Sequence, residues 1–245
     1  MDNLLSEAIN IQKEAEVRGL TLKLLGGLAI QANCPSWPKL AEGMGRRASE
    51  DIDFIGHSRH KTQMLEWFQM IGFELDHAVR HSQEFGINRF ILVGPGKPKI
   101  DIFFDQLQMA HTIDLSGRLA HDGVTLSSID LLLTKLQIHE FTKNDSIDTI
   151  ILLLDHNPIE DDSQRALFAT LMSKDWGFHR SVKINLDFLA DCDAVDFLEQ
   201  AQRKVFLSRV DQLRCAMEEL PRSLNWKLRS KIGTRVLWYQ QVEEA

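Results

Sequence analysis

Apolar and polar positions alternate with several different periods along the chain. From Asp2 to Val17 the apolar residues Leu5, Ala8, Ile9, Ile11, Ala15 and Val17 recur at helical spacing, which predicts a helix capped by Asp2 and closed at Gly19. Thr21 to Leu25 reads as a short buried strand, followed by Gly26-Gly27 and a short helical segment from Leu28 to Ala32. Asn33 to Ala48 carries two Pro, two Gly and the pair Arg46-Arg47 and reads as a loop in which Trp37 is expected to pack locally, the alternative being that it stacks on a base while either arginine meets phosphate. Arg59 to Ile71 is an amphipathic helix ended by Gly72. Phe73–Val79 and Phe85–Val93 read as antiparallel strands, and Gly94-Pro95-Gly96-Lys97-Pro98 as a hairpin turn into a strand ending at Phe104. Within Gln106 to Gly123, Ile113 to Leu119 reads as another strand or an irregular connection. Beyond it the period is helical: Ser127–Glu140, a helix capped by Asn144 and ended before Pro158, then Glu160–Met172, Phe178–Leu189, Asp193–Leu220 and Lys231–Glu243.

Three of the apolar runs in the first half are interrupted by polar or flexible residues, and there the chemistry is sought. In Ser49-Glu50-Asp51-Ile52-Asp53-Phe54 a strand would put Asp51 and Asp53 on one face and Ile52 and Phe54 on the other. Two carboxylates side by side repel unless a cation lies between them, and such hard oxygen ligands suit Mg²⁺ or Mn²⁺. Lys99-Ile100-Asp101-Ile102-Phe103-Phe104 can supply a third carboxylate from a neighbouring strand, enough for two ions of the kind that promote in-line phosphoryl displacement. Gly26-Gly27, between an apolar strand and a helix, can turn backbone N–H groups towards a polyphosphate with no Cβ in the way.

The order Gly-Gly, Asp-x-Asp, then a later Asp resembles the DNA polymerase β-type nucleotidyltransferase superfamily. Within it, Arg47-Ala48-Ser49-Glu50-Asp51-Ile52-Asp53-Phe54 is most similar to the signature of AbiEii-like nucleotidyltransferases of abortive-infection and toxin-antitoxin systems. Leu131–Leu136 and Asn144–Asp148 resemble that family's downstream helices, although the interval from Gly27 to Asp51 is longer than usual and Asn144 stands where Lys is common. The resemblance implies an α/β (α+β) core with a small mixed sheet and flanking helices over residues 1–156, and a helical C-terminal domain over 157–245. It implies Asp51, Asp53 and Asp101 as catalytic metal ligands, two Mg²⁺ or Mn²⁺ ions, and a nucleoside triphosphate as substrate. Gly26 and Gly27 would bind the phosphates, Ser49 would add a hydroxyl contact, Lys135 would touch the triphosphate, and Asp145 and Asp148 would be accessory acids. The acceptor stays open between transfer RNA, a protein hydroxyl and a small molecule, with an antitoxin as a possible partner. A catalytically silent binding member and a metal-dependent phosphohydrolase are the alternatives.

Composition narrows this little. With 245 residues, 44% of them hydrophobic, the chain can bury a core. Its longest apolar runs fall short of a membrane span and its start lacks a secretory pattern, so a cytoplasmic location is expected. Cys34, Cys192 and Cys215 have no C-x-x-C spacing, which argues against a zinc site or a disulfide framework. A net charge of −7 disfavours a broad non-specific grip on nucleic acid. The basic residues between Arg203 and Arg235 are interleaved with Asp211, Glu218 and Glu219, as on a solvated helix face, and Trp226, Trp238 and Tyr239 are read as packing anchors. His77 and His81 are read as surface residues.

Overall fold

Ile52, Phe54, Ile100, Ile102 and Phe104 are fully buried and share one face of their two strands, as alternation requires. The computed structural model describes residues 3–76, 88–120 and 122–241. Those strands, β2 (Asp51–Gly56) and β5 (Lys99–Phe104), pair in parallel at the centre of a mixed sheet. Outside them lie β1 (Leu22–Leu24), antiparallel to β2, and β4 (Arg89–Val93), antiparallel to β5 and followed by β3 (Glu74–Leu75), giving the order β1-β2-β5-β4-β3. A small hairpin, β6 (Gln106–Gln108) and β7 (Thr112–Asp114), extends from the end of β5. With its many helices the chain is a mixed α/β protein.

By Cα proximity it divides into two compact units. The first comprises residues 1–33, 48–108 and 112–127, the second 34–47, 109–111 and 128–245. The helices between 128 and 155, placed with the core in the sequence reading, group with the later helices.

In the first unit the helix Asn3–Val17 buries Leu5, Ala8, Ile11 and Ala15 and leaves Val17 exposed. The helix Lys61–Met70 buries Met64, Trp67 and Phe68, and the Lys61 ammonium lies 4.9 Å from the ring centroid of Phe104, itself edge-to-face with Phe90.

The second unit is built of helices. Residues 33–48 are not a loop: Trp37–Met44 is a helix with Pro38 in its first turn and Gly45 at φ 71° closing it. Proline fits a first turn because the N–H it lacks has no partner there, and the spacing of buried Trp37, Leu40, Ala41 and Met44 supplies an apolar stripe. Trp37 is buried under the Arg46 guanidinium, 4.9 Å from its ring centroid, and so packs locally.

Ser128–Leu136 is buried along almost its whole length. The next helix, Lys143–Asp155, is capped by Thr142 and not by Asn144; the Thr142 hydroxyl accepts from the Asp145 amide and the Asp145 carboxylate accepts from the Thr142 amide. The Asn144 side chain instead accepts from the Arg47 amide at 3.0 Å.

Asp162–Lys174 and Trp176–Asp191 follow. The single helix expected over 193–220 is two elements, a 3-10 segment Asp193–Phe197 and a helix Gln200–Glu218. The α-helix Leu224–Ile232 ends at Gly233, at φ 61°, and a short 3-10 segment Gly233–Arg235 follows, in place of the helix expected from Lys231. His77, His81, the Asp2 cap and the outer parts of the strands expected over 73–79 and 85–93 lie outside the described residues. Among the described residues no helix is long and apolar enough to cross a membrane.

Candidate functional site

The parallel register sets Asp53 opposite Asp101 and Asp51 opposite Lys99, so all four residues project from one face of the sheet. One carboxylate oxygen from each of Asp51, Asp53 and Asp101 lies within 4.8 Å of the others. Asp51 and Asp53 are half-buried and Asp101 is 2% exposed. Hard oxygens converging this closely are a donor set that fits Mg²⁺ or Mn²⁺.

Gly26 closes one side of this cluster. Its φ is 69°, a conformation that L side chains rarely adopt, and a Cβ built on it would overlap the Asp53 carboxylate oxygen. The Leu25 amide also donates to the Asp53 carbonyl at 3.1 Å, tying the strand end to the acidic strand. Gly26 and Gly27 form the first turn of the helix Gly26–Asn33, where main-chain N–H groups lack intrahelical partners. Ser49 is half-buried in the segment just before β2.

The cluster includes one residue that the sequence reading passed over. Arg89, on β4, donates from Nε to Asp101 Oδ1 at 2.7 Å and from Nη2 to Asp101 Oδ2, a two-pronged pair. Its guanidinium carbon lies 4.9 Å from the centroid of the Phe103 ring. Burial would lower the arginine's pKa, but the bond to Asp101 and the charges of Asp101, Asp53 and Asp51 together raise it above the ordinary arginine value. The available signal was a cation immediately before the apolar run Phe90 to Val93; its nearness to Asp101 comes from the register that sets Ile91 opposite Asp101.

The remaining expected residues form a second cluster, in the helical unit. Lys135 Nζ lies 2.9 Å from Asp145 and 2.8 Å from Asp148, and Asp148, with no exposed side-chain surface, also accepts from Arg46 Nε at 3.0 Å and Nη2 at 3.2 Å. Burial alone would lower the Lys135 pKa; the two carboxylates outweigh it and raise it. Burial would likewise raise the Asp145 carboxyl, and the Lys135 ammonium and the Thr142 hydroxyl and amide bring it below the usual carboxylate range. The ammonium that the resemblance aims at a triphosphate is thus shared by two carboxylates of its own unit. Arg46, considered in sequence as a phosphate contact, is engaged by Asp148.

The basic residues of the C-terminal helices are also largely engaged. Arg203 pairs with Asp196, Arg214 with Asp187 and Asp211, and Arg209 donates to the Leu153 and Leu154 carbonyls at the end of the helix Lys143–Asp155.

No family model and no curated protein sequence matches this chain. Among solved structures it is similar to the antibiotic-resistance factor ANT(2'')-Ia, at 15% identity over 86% of this chain and 94% of that one, with a TM-score of 0.32. It is also similar to an antigenic nucleotidyltransferase-like protein from Paracoccidioides brasiliensis, at 14% identity over 91% and 95% of the two chains, again with a TM-score of 0.32. At that TM-score neither likeness carries weight, and the functional reading rests on the chain's own residues.

Proposed function

We propose that the chain is a metal-dependent nucleotidyltransferase, moving a nucleoside monophosphate from a nucleoside triphosphate to an acceptor with release of pyrophosphate. One observation carries this reading: the carboxylates of Asp51, Asp53 and Asp101 converge within 4.8 Å on the sheet face against which Gly26 packs. Asp51 and Asp53 would hold both divalent ions and Asp101 would complete one site. Bound there, such ions would activate the attacking oxygen and neutralise charge on the leaving pyrophosphate. The residues themselves orient the reaction. Asp101 would help deprotonate the acceptor hydroxyl, and the Gly26 and Gly27 amides, at a helix N-terminus, suit the outer phosphates. Ser49, just upstream of Asp51, would add a hydroxyl contact.

For Lys135, Asp145 and Asp148 the ion pairs favour an indirect role: their mutual neutralisation holds the helices that carry them. Specificity for the acceptor, whether transfer RNA, a protein hydroxyl or a small molecule, is assigned to loops and to the helical segment 157–245. The AbiEii-like signature around Asp51 and Asp53 supports a toxin-type transfer and, with it, an antitoxin partner.

The test is pyrophosphate release from each nucleoside triphosphate with Mg²⁺ or Mn²⁺, for wild type and Asp51→Asn, followed by incubation of the protein with labelled nucleotide and cell extract. Pyrophosphate release that Asp51→Asn abolishes, with label entering RNA, protein or a small molecule, is the expected result. Release of inorganic phosphate alone would indicate hydrolysis. One observation favours a second reading, a silent binding member: Asp101 is already paired with Arg89, and absence of turnover with every nucleotide would support it.

A further inference from the structure

We propose that Arg89 is an exchangeable counter-ion of the carboxylate cluster, which gives up Asp101 to a divalent ion and turns to the phosphates of the incoming nucleotide. This rests on the nucleotidyltransferase reading and names a control built into that same site.

The geometry makes the two occupants competitors. Both Asp101 oxygens are taken by the Arg89 fork, and Asp101 is almost without exposed surface, so an ion can use this carboxylate fully only after at least one prong lets go. Three carboxylates on one sheet face also need positive charge nearby to coexist, and the guanidinium supplies it beside all three. The Phe103 ring under Arg89 offers a surface on which a released guanidinium can stay stacked while its N–H groups turn elsewhere. Divalent ions would bring excess positive charge to the cluster, which a polyphosphate offsets, and a planar fork on the same face matches phosphate oxygens well. A metal ion alone must therefore displace a bonded cation, whereas a metal ion arriving with nucleotide gives that cation a new anionic partner.

The test is Mn²⁺ binding without nucleotide, followed by the electron paramagnetic resonance of free Mn²⁺, for wild type, Arg89→Gln, Arg89→Lys and Asp51→Asn. Arg89→Gln should bind Mn²⁺ about tenfold tighter or more than wild type, since the competing charge and fork are both gone. Arg89→Lys, which keeps the charge but loses the fork, should fall between them, and it carries the comparison if Arg89→Gln does not fold. Asp51→Asn should weaken binding. Thermal melting supplies a second readout: Mn²⁺ should raise the midpoint of the Arg89 variants more than that of wild type.

Equal or weaker Mn²⁺ binding by both Arg89 variants, with wild type still binding, would overturn the exchange and leave Arg89 a fixed prop within a functioning site. No saturable Mn²⁺ binding by any variant would instead overturn the nucleotidyltransferase reading, and the exchange with it.

Discussion

Asp53 and Asp101 face each other as register partners on parallel strands, and the Arg89 fork holds Asp101 by both of its oxygens. Neutralising the two should have unequal effects on stability. Like charges about 5 Å apart repel by about 3 kcal/mol at an effective dielectric constant of about 20. Asp53→Asn relieves part of that repulsion and should cost less stability than Asp101→Asn. Asp101→Asn strips Arg89 of its charged partner in a largely buried setting and should cost about 1–3 kcal/mol. Both should lower pyrophosphate release by about 10²-fold or more, so a stability measurement beside the turnover assay separates loss of chemistry from loss of fold.

Gly26→Ala should damage the site beyond its backbone cost. The left-handed conformation alone penalises a side chain by about 1–2 kcal/mol, and the added methyl must also push the Asp53 carboxylate aside. Gly96→Ala is the control: Gly96 has φ 67° with nothing near its missing Cβ, so it should lose comparable stability while Mn²⁺ affinity stays at the wild-type level. A matching loss of Mn²⁺ affinity in both variants would remove Gly26 from the site.

Much of the carboxylate cluster was legible because strand parity is a strong rule. Once residues 51–54 and 100–104 read as strands, alternation puts Asp51 and Asp53 together on one side and Asp101 on the side away from Ile100 and Ile102. What parity cannot supply is pairing, and Arg89 acquires its meaning only when β4 is known to lie beside β5 in a register that brings it to Asp101. The helix Trp37–Met44 was hidden by its prolines and glycines, which were counted as loop formers although Pro38 sits in a first turn and Gly45 just past the end. Lys135 looked like a solvent-directed or phosphate-directed side chain because its partners, Asp145 and Asp148, belong to the following helix and Arg46 to a distant part of the sequence.

Asp148→Ala is expected to be among the costliest single changes in the helical unit. It leaves Lys135 with one carboxylate and Arg46 without its buried partner, and breaking a buried pair in this way costs about 3–5 kcal/mol. Chemical denaturation should show this as a lower midpoint. If Asp148→Ala keeps wild-type stability, the cluster does not hold the helices as argued.

The same cluster sets a pH window. Asp145 has its carboxyl depressed below 3.8 in the folded protein, so its contribution is present above that value and is lost as the pH falls through the lower folded value. Lys135 is raised above 10.5, so its contribution is complete below that value and is lost as the pH rises through the higher folded one. Stability from these ion pairs should therefore be flat between about pH 4 and 10 and fall on both sides. Lys135→Met, itself destabilising, should weaken both dependences when melting is followed across pH.

Because β5 slots between β2 and β4, the acid that completes the set is synthesised well after the first two. A polypeptide released from the ribosome before residue 99 would carry Asp51 and Asp53 without the neighbour that seats their strand. Products released that early would lack Asp101, and whatever reaction the finished sheet performs would begin only once the strand Lys99–Phe104 has joined it.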